Sequence, residues 1–158
     1  MTIKVGINGF GRIGRMVLRS IIENNRKDIE VVVINNRANS EISSFLLEHD
    51  SVHGKLKAKI NHFERAVEIN GKKISIIRET EISKIDWKKY NVNVVLECTG
   101  LFLNKETAGK HLKAGAKKVI VSAPAKDVDF TIVQGVNSKD LKKEHNVISN
   151  GSCTKNCL

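Results

Sequence analysis

The stretch Gly9-Phe10-Gly11-Arg12-Ile13-Gly14 constrains this chain more than any other, because it sits between an apolar strand and an amphipathic helix. Ile3 to Asn8 reads as a short buried strand. Arg12 to Glu23 carries Ile13, Met16, Val17 and Ile21 at helical spacing. Glu30 to Asn35 is a nearly continuous apolar run, the kind a sheet covers on both faces. Each glycine then has an expected task. Gly9 turns the chain sharply off the strand, Gly11 lets the backbone approach a pyrophosphate, and Gly14 allows helix and strand to touch. The helix start offers free N–H groups and the positive end of a dipole to phosphates. The glycine pattern alone serves a structural turn as well as a dinucleotide site. Its place between a strand and a helix, with a second strand ending about 20 residues on, points to the dinucleotide.

The rest of the chain repeats the same rhythm. Glu41 to Glu48 reads as a second helix. Ala66 to Asn70 and Lys72 to Ile77 flank Asn70-Gly71, a strong hairpin signal. A small antiparallel insertion is expected at 56–78. Strand and helix then alternate again: Val92 to Cys98, a helix over Lys105 to Ala114, and a strand over Lys118 to Ser122. Asp129 to Val133 and Asn146 to Ser149 read as the last two strands. The fold class is α/β: a Rossmann-type, doubly wound, mostly parallel sheet with a small antiparallel hairpin insertion. No linker-like stretch divides residues 1–158, so one domain is expected.

Charge bears on the partner. The 27 basic and 17 acidic residues leave a formal net charge of +10, which attracts phosphates. The lysines fall in short pairs, such as Lys72-Lys73 and Lys117-Lys118, with no basic run interleaved with aromatics. That describes a solvated surface, and nucleic acid is not expected as the main partner. No charged-then-apolar leader and no long apolar run appears, so no membrane partner is expected. The 3 cysteines lack zinc-type spacing, so no metal site is expected, and free thiols suit a reducing cytoplasm.

Cofactor choice turns on the end of the second strand. An acidic residue there would bind the adenosine ribose hydroxyls and favour NAD. This chain has Asn36 and Arg37. Asn36 removes the charge that repels a 2′-phosphate. Arg37 is either that phosphate's partner or a solvent-facing loop cation. NADP is therefore expected to be accepted alongside NAD, even preferred.

Near the other end, Ser149-Asn150-Gly151-Ser152-Cys153-Thr154-Lys155-Asn156-Cys157 places a thiol where a helix begins, with Ser152 as a candidate cap. A helix start stabilises a thiolate. By itself, a cysteine here is either inert or a nucleophile. Cys98 and Cys157 read as structural.

Several of these segments together resemble the phosphorylating glyceraldehyde-3-phosphate dehydrogenases. Lys4 to Arg15 is similar to that family's opening. Asp50 to Gly54, Glu97 to Phe102, Ala114 to Val119, Ser122 to Asp127 and Ser149 to Leu158 are similar to later motifs in the same order. The resemblance implies that Asn8, Gly9, Gly11, Arg12, Ile13 and Gly14 meet the cofactor, with Arg12 and Ile13 lending backbone N–H groups. It places Asn36, beside Arg37, at the ribose-reading position and Arg78 near the adenine. Thr99, Gly100, Phe102 and Ser122 would line the nicotinamide side. Cys153 would be the nucleophile, and Ser152 and Thr154 would hold inorganic phosphate. Glyceraldehyde 3-phosphate and inorganic phosphate are the implied substrates, and a homotetramer the implied assembly.

Two departures stand out: the family usually has Thr at Lys155 and Ala at Gly151. The family also continues into a catalytic domain that supplies a histidine base. None of His49, His53, His62, His111 and His145 matches it. The expectation is a cofactor domain with little or no turnover by itself. The open alternatives are a truncated NAD(P)-binding module without catalysis, or the cofactor half of an erythrose-4-phosphate dehydrogenase.

Overall fold

The structure is a computed structural model and describes residues 2–151. Strand β1 (Ile3–Asn8) leads through the glycine turn into helix α1 (Arg12–Glu23), β2 (Ile29–Asn35) and helix α2 (Ser40–Glu48). Two-residue strands β3 (His49–Asp50) and β4 (Gly54–Lys55) close a small loop. Strands β5 (Ile60–Phe63), β6 (Ala66–Ile69) and β7 (Lys72–Ile77) follow. The chain then crosses to β8 (Val94–Glu97), two helical turns α3 (Lys105–Ala108) and α4 (Lys110–Lys113), β9 (Lys118–Val121), β10 (Phe130–Thr131) and β11 (Val147–Ser149).

Among the described residues one nine-stranded sheet runs in the order β10-β11-β9-β8-β1-β2-β7-β6-β5. Every pair from β10 to β7 is parallel, and β7-β6 and β6-β5 are antiparallel. The expected α/β class and the hairpin both hold. Asn70 and Gly71 have φ of 50° and 81°, the left-handed pair that a tight type I′ turn needs. The hairpin is built onto the main sheet, because β7 also pairs with β2.

The helix expected over Lys105 to Ala114 is two separate turns divided at Gly109. Glycine is a poor helix residue. Past it the bonding tightens, with Leu112 N–H donating to the Gly109 carbonyl at 3.0 Å.

A bulge in β2 decides which side chains face which layer. Val5 pairs with Val31, but Gly6 pairs with Val33, so Val32 is the extra residue. Beyond it the alternation flips. Val31 and Ile34 join Val5, Ile7 and Leu18 in the core under α1. Val33 turns to the opposite layer, with Val95, Ile85 and Trp87. Helix α1 departs from its expected face: Gly14, Leu18 and Arg19 are buried, whereas Ile13 is 51% exposed. No helix among the described residues is long and apolar enough to cross a membrane.

Candidate functional site

β1 is the switch point of the sheet. The chain winds from it to β2 on one side and later returns to β8 on the other. Ligands of open α/β sheets sit outside the carboxyl ends of the strands at such a point. A cleft of about 400 Å³ opens there. Asn8, Gly9, Gly11, Asn36, Arg37, Thr99 and Phe102 of the expected residues line it.

The glycine turn fits its expected task. Gly9 has φ of 90°, and a Cβ there would lie 2.8 Å from the Thr99 backbone nitrogen. Nothing stands within 4 Å of a Cβ placed on Gly11, so its backbone is open to a ligand. Helix α1 has no side-chain cap and no acidic residue in its first turn. Its ladder begins when Arg15 N–H donates to the Gly11 carbonyl at 3.0 Å. The N–H groups of Arg12, Ile13 and Gly14 therefore have no partner inside the helix. An open glycine backbone beside uncapped N–H donors suits a diphosphate.

On the β2 side, Asn36 donates to the Ser43 hydroxyl at 3.1 Å, which orients its amide. Arg37 is exposed, and no ion pair holds it among the described residues. Arg78 does not line the cleft. The Asn35 amide accepts from Glu79 N–H at 2.8 Å and donates to the Glu79 carbonyl at 2.8 Å. That brings Glu79 and Thr80 to the cleft wall. Arg78, one residue earlier, falls in a separate polar depression with Arg65, Lys89 and Tyr90.

On the β8 side, Cys98 and Leu101 join Thr99 and Phe102 in the lining. Gly100 (φ 73°) lies between them without lining the cleft, and Ser122 sits behind Cys98. Burial pushes the Cys98 thiol up to about 11, against the Ser122 hydrogen bond and with the help of the Glu97 charge. Cys98 is thus a protonated wall residue. Ser152, Cys153 and Thr154 lie outside the described residues. The chain reaches them from β11, which runs parallel to β9, with Asn150 N–H donating to the Val121 carbonyl at 2.9 Å.

Beneath the cleft runs a polar chain that no motif announced. The Trp87 indole N–H donates to His111 Nδ1 at 3.0 Å. His111 Nε2 lies 2.9 Å from Glu97 Oε2, and both side chains are 0% exposed. Asn8 Nδ2 donates to the same oxygen at 2.6 Å, and Asn35 Nδ2 donates to Asn8 Oδ1 at 2.7 Å. Glu97 Oε1 accepts from Thr99 N–H at 2.8 Å and from the Thr99 hydroxyl. These partners are 89 residues apart for Asn8 and Glu97, and only the sheet register joins them.

Helix α1 also anchors the end of α2 and the loop after it. The Arg12 guanidinium pairs with Asp50 at 3.2 Å. The His53 and Val52 amides, and after them Arg12, hold the Asp50 carboxyl below the usual range. Arg19, buried two turns on, donates to the carbonyls of Leu47 at 3.1 Å and Gly54 at 3.0 Å, and pairs with Glu23 at 3.1 Å. Among the described residues no group of three His, Cys, Asp or Glu is placed to hold a metal ion.

Comparison with known proteins agrees with this geometry. The family described as glyceraldehyde 3-phosphate dehydrogenase, NAD binding domain, matches residues 3–105. The chain is 49% identical over 160 residues to the plasmid-encoded glyceraldehyde-3-phosphate dehydrogenase of Cupriavidus necator, covering 100% of this chain and 48% of that protein. It is 50% identical over 159 residues to the Geobacillus stearothermophilus enzyme, covering 100% and 47%. Against the Thermotoga maritima enzyme it is 48% identical over 155 residues, covering 98% and 46%. The chain spans about half the length of the curated relatives it matches. With its glycine turn, open helix start and switch-point cleft, the chain belongs to the glyceraldehyde 3-phosphate dehydrogenase family and forms that family's NAD-binding domain.

Proposed function

We propose that this chain is the cofactor-holding part of an enzyme that oxidises glyceraldehyde 3-phosphate with inorganic phosphate to 1,3-bisphosphoglycerate. The observation that carries the reading is a shared sheet edge. The open glycine turn and the uncapped start of α1 follow β1, and the end of β11, which leads to Cys153, lies on the same carboxyl edge because β1, β8, β9 and β11 are all parallel. In the proposed reaction the Cys153 thiolate adds to the aldehyde carbon and forms a thiohemiacetal. The bound nicotinamide supplies the hydride acceptor. Loss of hydride leaves a thioester on sulfur. Phosphate then attacks the acyl carbon, releasing acyl phosphate and thiolate, with Ser152 and Thr154 holding the incoming phosphate.

The chain's own residues supply binding and orientation. The N–H groups of Arg12, Ile13 and Gly14 take the pyrophosphate, with Asn8, Gly9 and Gly11 shaping its seat. Asn36 and Arg37 face the adenosine ribose, and Arg37 pairs with a 2′-phosphate, so NADP is accepted as well as NAD. Glu79 and Thr80, rather than Arg78, border the adenosine side. Thr99, Gly100 and Phe102 border the nicotinamide side, and Ser122 holds Cys98 in place. Turnover needs a histidine base. His111 cannot serve, because it is buried under the cleft with both ring nitrogens engaged. Residues 1–158 are accordingly proposed to bind dinucleotide without appreciable turnover. The reducing cytoplasm is the proposed compartment. A homotetramer is the proposed assembly, and the outward Ile42 and Phe45 of α2, 49% and 60% exposed, offer apolar surface for such contacts.

Calorimetric titration with NAD and NADP tests the reading. Saturable binding of at least one is expected, with no glyceraldehyde 3-phosphate oxidation above background. Failure to bind either would refute it.

A further inference from the structure

Glu97 is a carboxylate in an unusual position: 0% exposed, at the floor of the cleft, with no lysine or arginine paired to it among the described residues. The hydrogen bonds at both ends of the chain it belongs to fix most of the donors around it. An indole N–H only donates. Trp87 therefore fixes His111 Nδ1 as an acceptor. The ring hydrogen must lie on Nε2, where it donates to Glu97 Oε2, so His111 is a neutral imidazole. From the other end, Glu79 N–H fixes Asn35 Oδ1 as an acceptor. Asn35 Nδ2 then donates to Asn8 Oδ1, which leaves Asn8 Nδ2 to donate to Glu97 Oε2. At Oε1, Thr99 N–H donates outright. The Thr99 hydroxyl, which accepts from Leu101 N–H at 3.1 Å, is the second partner of that oxygen.

Three neutral donors are thus fixed on the carboxyl group, and the neutral Thr99 hydroxyl is its fourth partner. An ionised Glu97 in this ring is a buried negative charge that neutral dipoles solvate and no cation among the described residues cancels. Such a charge is costly to retain. It lies directly under Asn8 and Thr99, which line the cleft. The ribose-reading position at the end of β2 takes the adenosine half of a dinucleotide. The half beyond the glycine turn, over β8, is left for the nicotinamide.

We propose that the ionised Glu97 carboxylate, held by Asn8, Thr99 and a neutral His111, makes the cleft discriminate between cofactor redox states, favouring the cationic oxidised nicotinamide over the neutral reduced one. This rests on the cofactor reading above. A unit charge acting from a buried site on a nearby cation changes affinity by about 5- to 30-fold. A purely structural Glu97 would weaken both forms together.

The experiment is calorimetric titration of the wild-type chain and Glu97→Gln with NAD+ and with NADH. The ratio of the two affinities is expected to fall at least fivefold in the variant. An unchanged ratio, with both forms still bound, overturns this proposal alone. No binding of either form by the wild type overturns the cofactor reading, and this proposal with it. Should Glu97→Gln fail to fold, the wild type still decides. At pH 7, 13C NMR of Glu97 is expected to report an ionised carboxylate, and 15N NMR of His111 a neutral ring with hydrogen on Nε2. A protonated Glu97 or an imidazolium overturns the proposal.

Discussion

Gly14 packs so tightly beneath Gly9 that a Cβ built on it would stand 2.4 Å from the Gly9 carbonyl oxygen. The contact is backbone against backbone, so neither side can yield by a rotamer change. Gly11, three residues earlier, has open space around it. The two glycines are therefore separable by experiment. Gly14→Ala is expected to cost about 1–3 kcal/mol of stability through overpacking. Gly11→Ala is expected to leave the denaturation midpoint nearly unchanged and to weaken dinucleotide binding, since its methyl would project toward the pyrophosphate. Chemical denaturation and calorimetry on both variants check this. Equal losses of stability would contradict the assignment.

The change Asn36→Asp tests cofactor choice. An aspartate there places a carboxylate where the ribose hydroxyls are read and opposes a 2′-phosphate. The ratio of NAD to NADP affinity is expected to rise about tenfold or more, equivalent to about 1.4 kcal/mol. Arg37→Ala is expected to move the ratio the same way by weakening NADP alone. A wild-type protein that already binds NAD at least tenfold more tightly than NADP would remove the basis for the proposed preference.

Much of this was legible in the sequence, and the reason is locality. The bounds of α1 match the expectation because strand, glycine turn and amphipathic face are all written within a few residues. The Asn70-Gly71 turn was equally plain, since two consecutive left-handed residues need that chemistry. What could not be read depends on register between distant segments. The bulge at Val32 leaves no mark in a uniform Val-Val-Val run, yet it turns Asn35 toward Asn8. Gly6 looks like any strand glycine. It is required because a Cβ there would stand 2.7 Å from the Trp87 ring. Arg78 was expected near the adenine from the family resemblance. The two hydrogen bonds from Asn35 to the Glu79 backbone bring the next residue there instead.

Arg19 was unreadable for a related reason, since a mid-helix arginine normally points to water. Here it is 2% exposed and fills a ring of backbone carbonyls from the end of α2 and the loop after it. A lysine cannot span that ring, because its ammonium lacks the planar fork. Arg19→Lys is expected to destabilise the fold by about 1–3 kcal/mol by leaving buried acceptors unsatisfied. Hydrogen exchange should rise first at the amides of Leu56 and His53. A denaturation midpoint equal to the wild type would show that solvent satisfies those carbonyls as well as the guanidinium does.

Cys98 lines the cleft yet should be chemically quiet. Its thiol stands at about 11 against an ordinary 9.0. At pH 8 the thiolate fraction is then lower by about a hundredfold than for an unperturbed thiol, and alkylation slows in proportion. Peptide mapping after iodoacetamide treatment of the folded chain is expected to find Cys98 almost unmodified while Cys153, the proposed nucleophile, reacts. Rapid labelling of Cys98 in the native state would exclude its role as an inert wall.

Asp129 ties three elements together and makes the fold acid-sensitive. It accepts from the backbone N–H groups of Asn146 and Val147, each at 2.8 Å, and pairs with Lys105 at 2.6 Å. Burial works against its ionisation, but the Lys105 ammonium and the two amides outweigh it and hold the carboxyl down to about 2, against an ordinary 3.8. The folded state therefore gains from the ionised form. That gain is complete above about pH 4 and drains away as the pH falls toward about 2. Asp28, also near 2 through Arg26, titrates over the same range. Its pair is solvent-exposed and contributes little. Thermal melts of the wild type and Asp129→Asn should thus differ most above pH 4 and converge as the pH approaches 2. Curves that stay parallel across that range would mean that Asp129 stabilises the β11 start through its shape and neutral hydrogen bonds, and not through its charge.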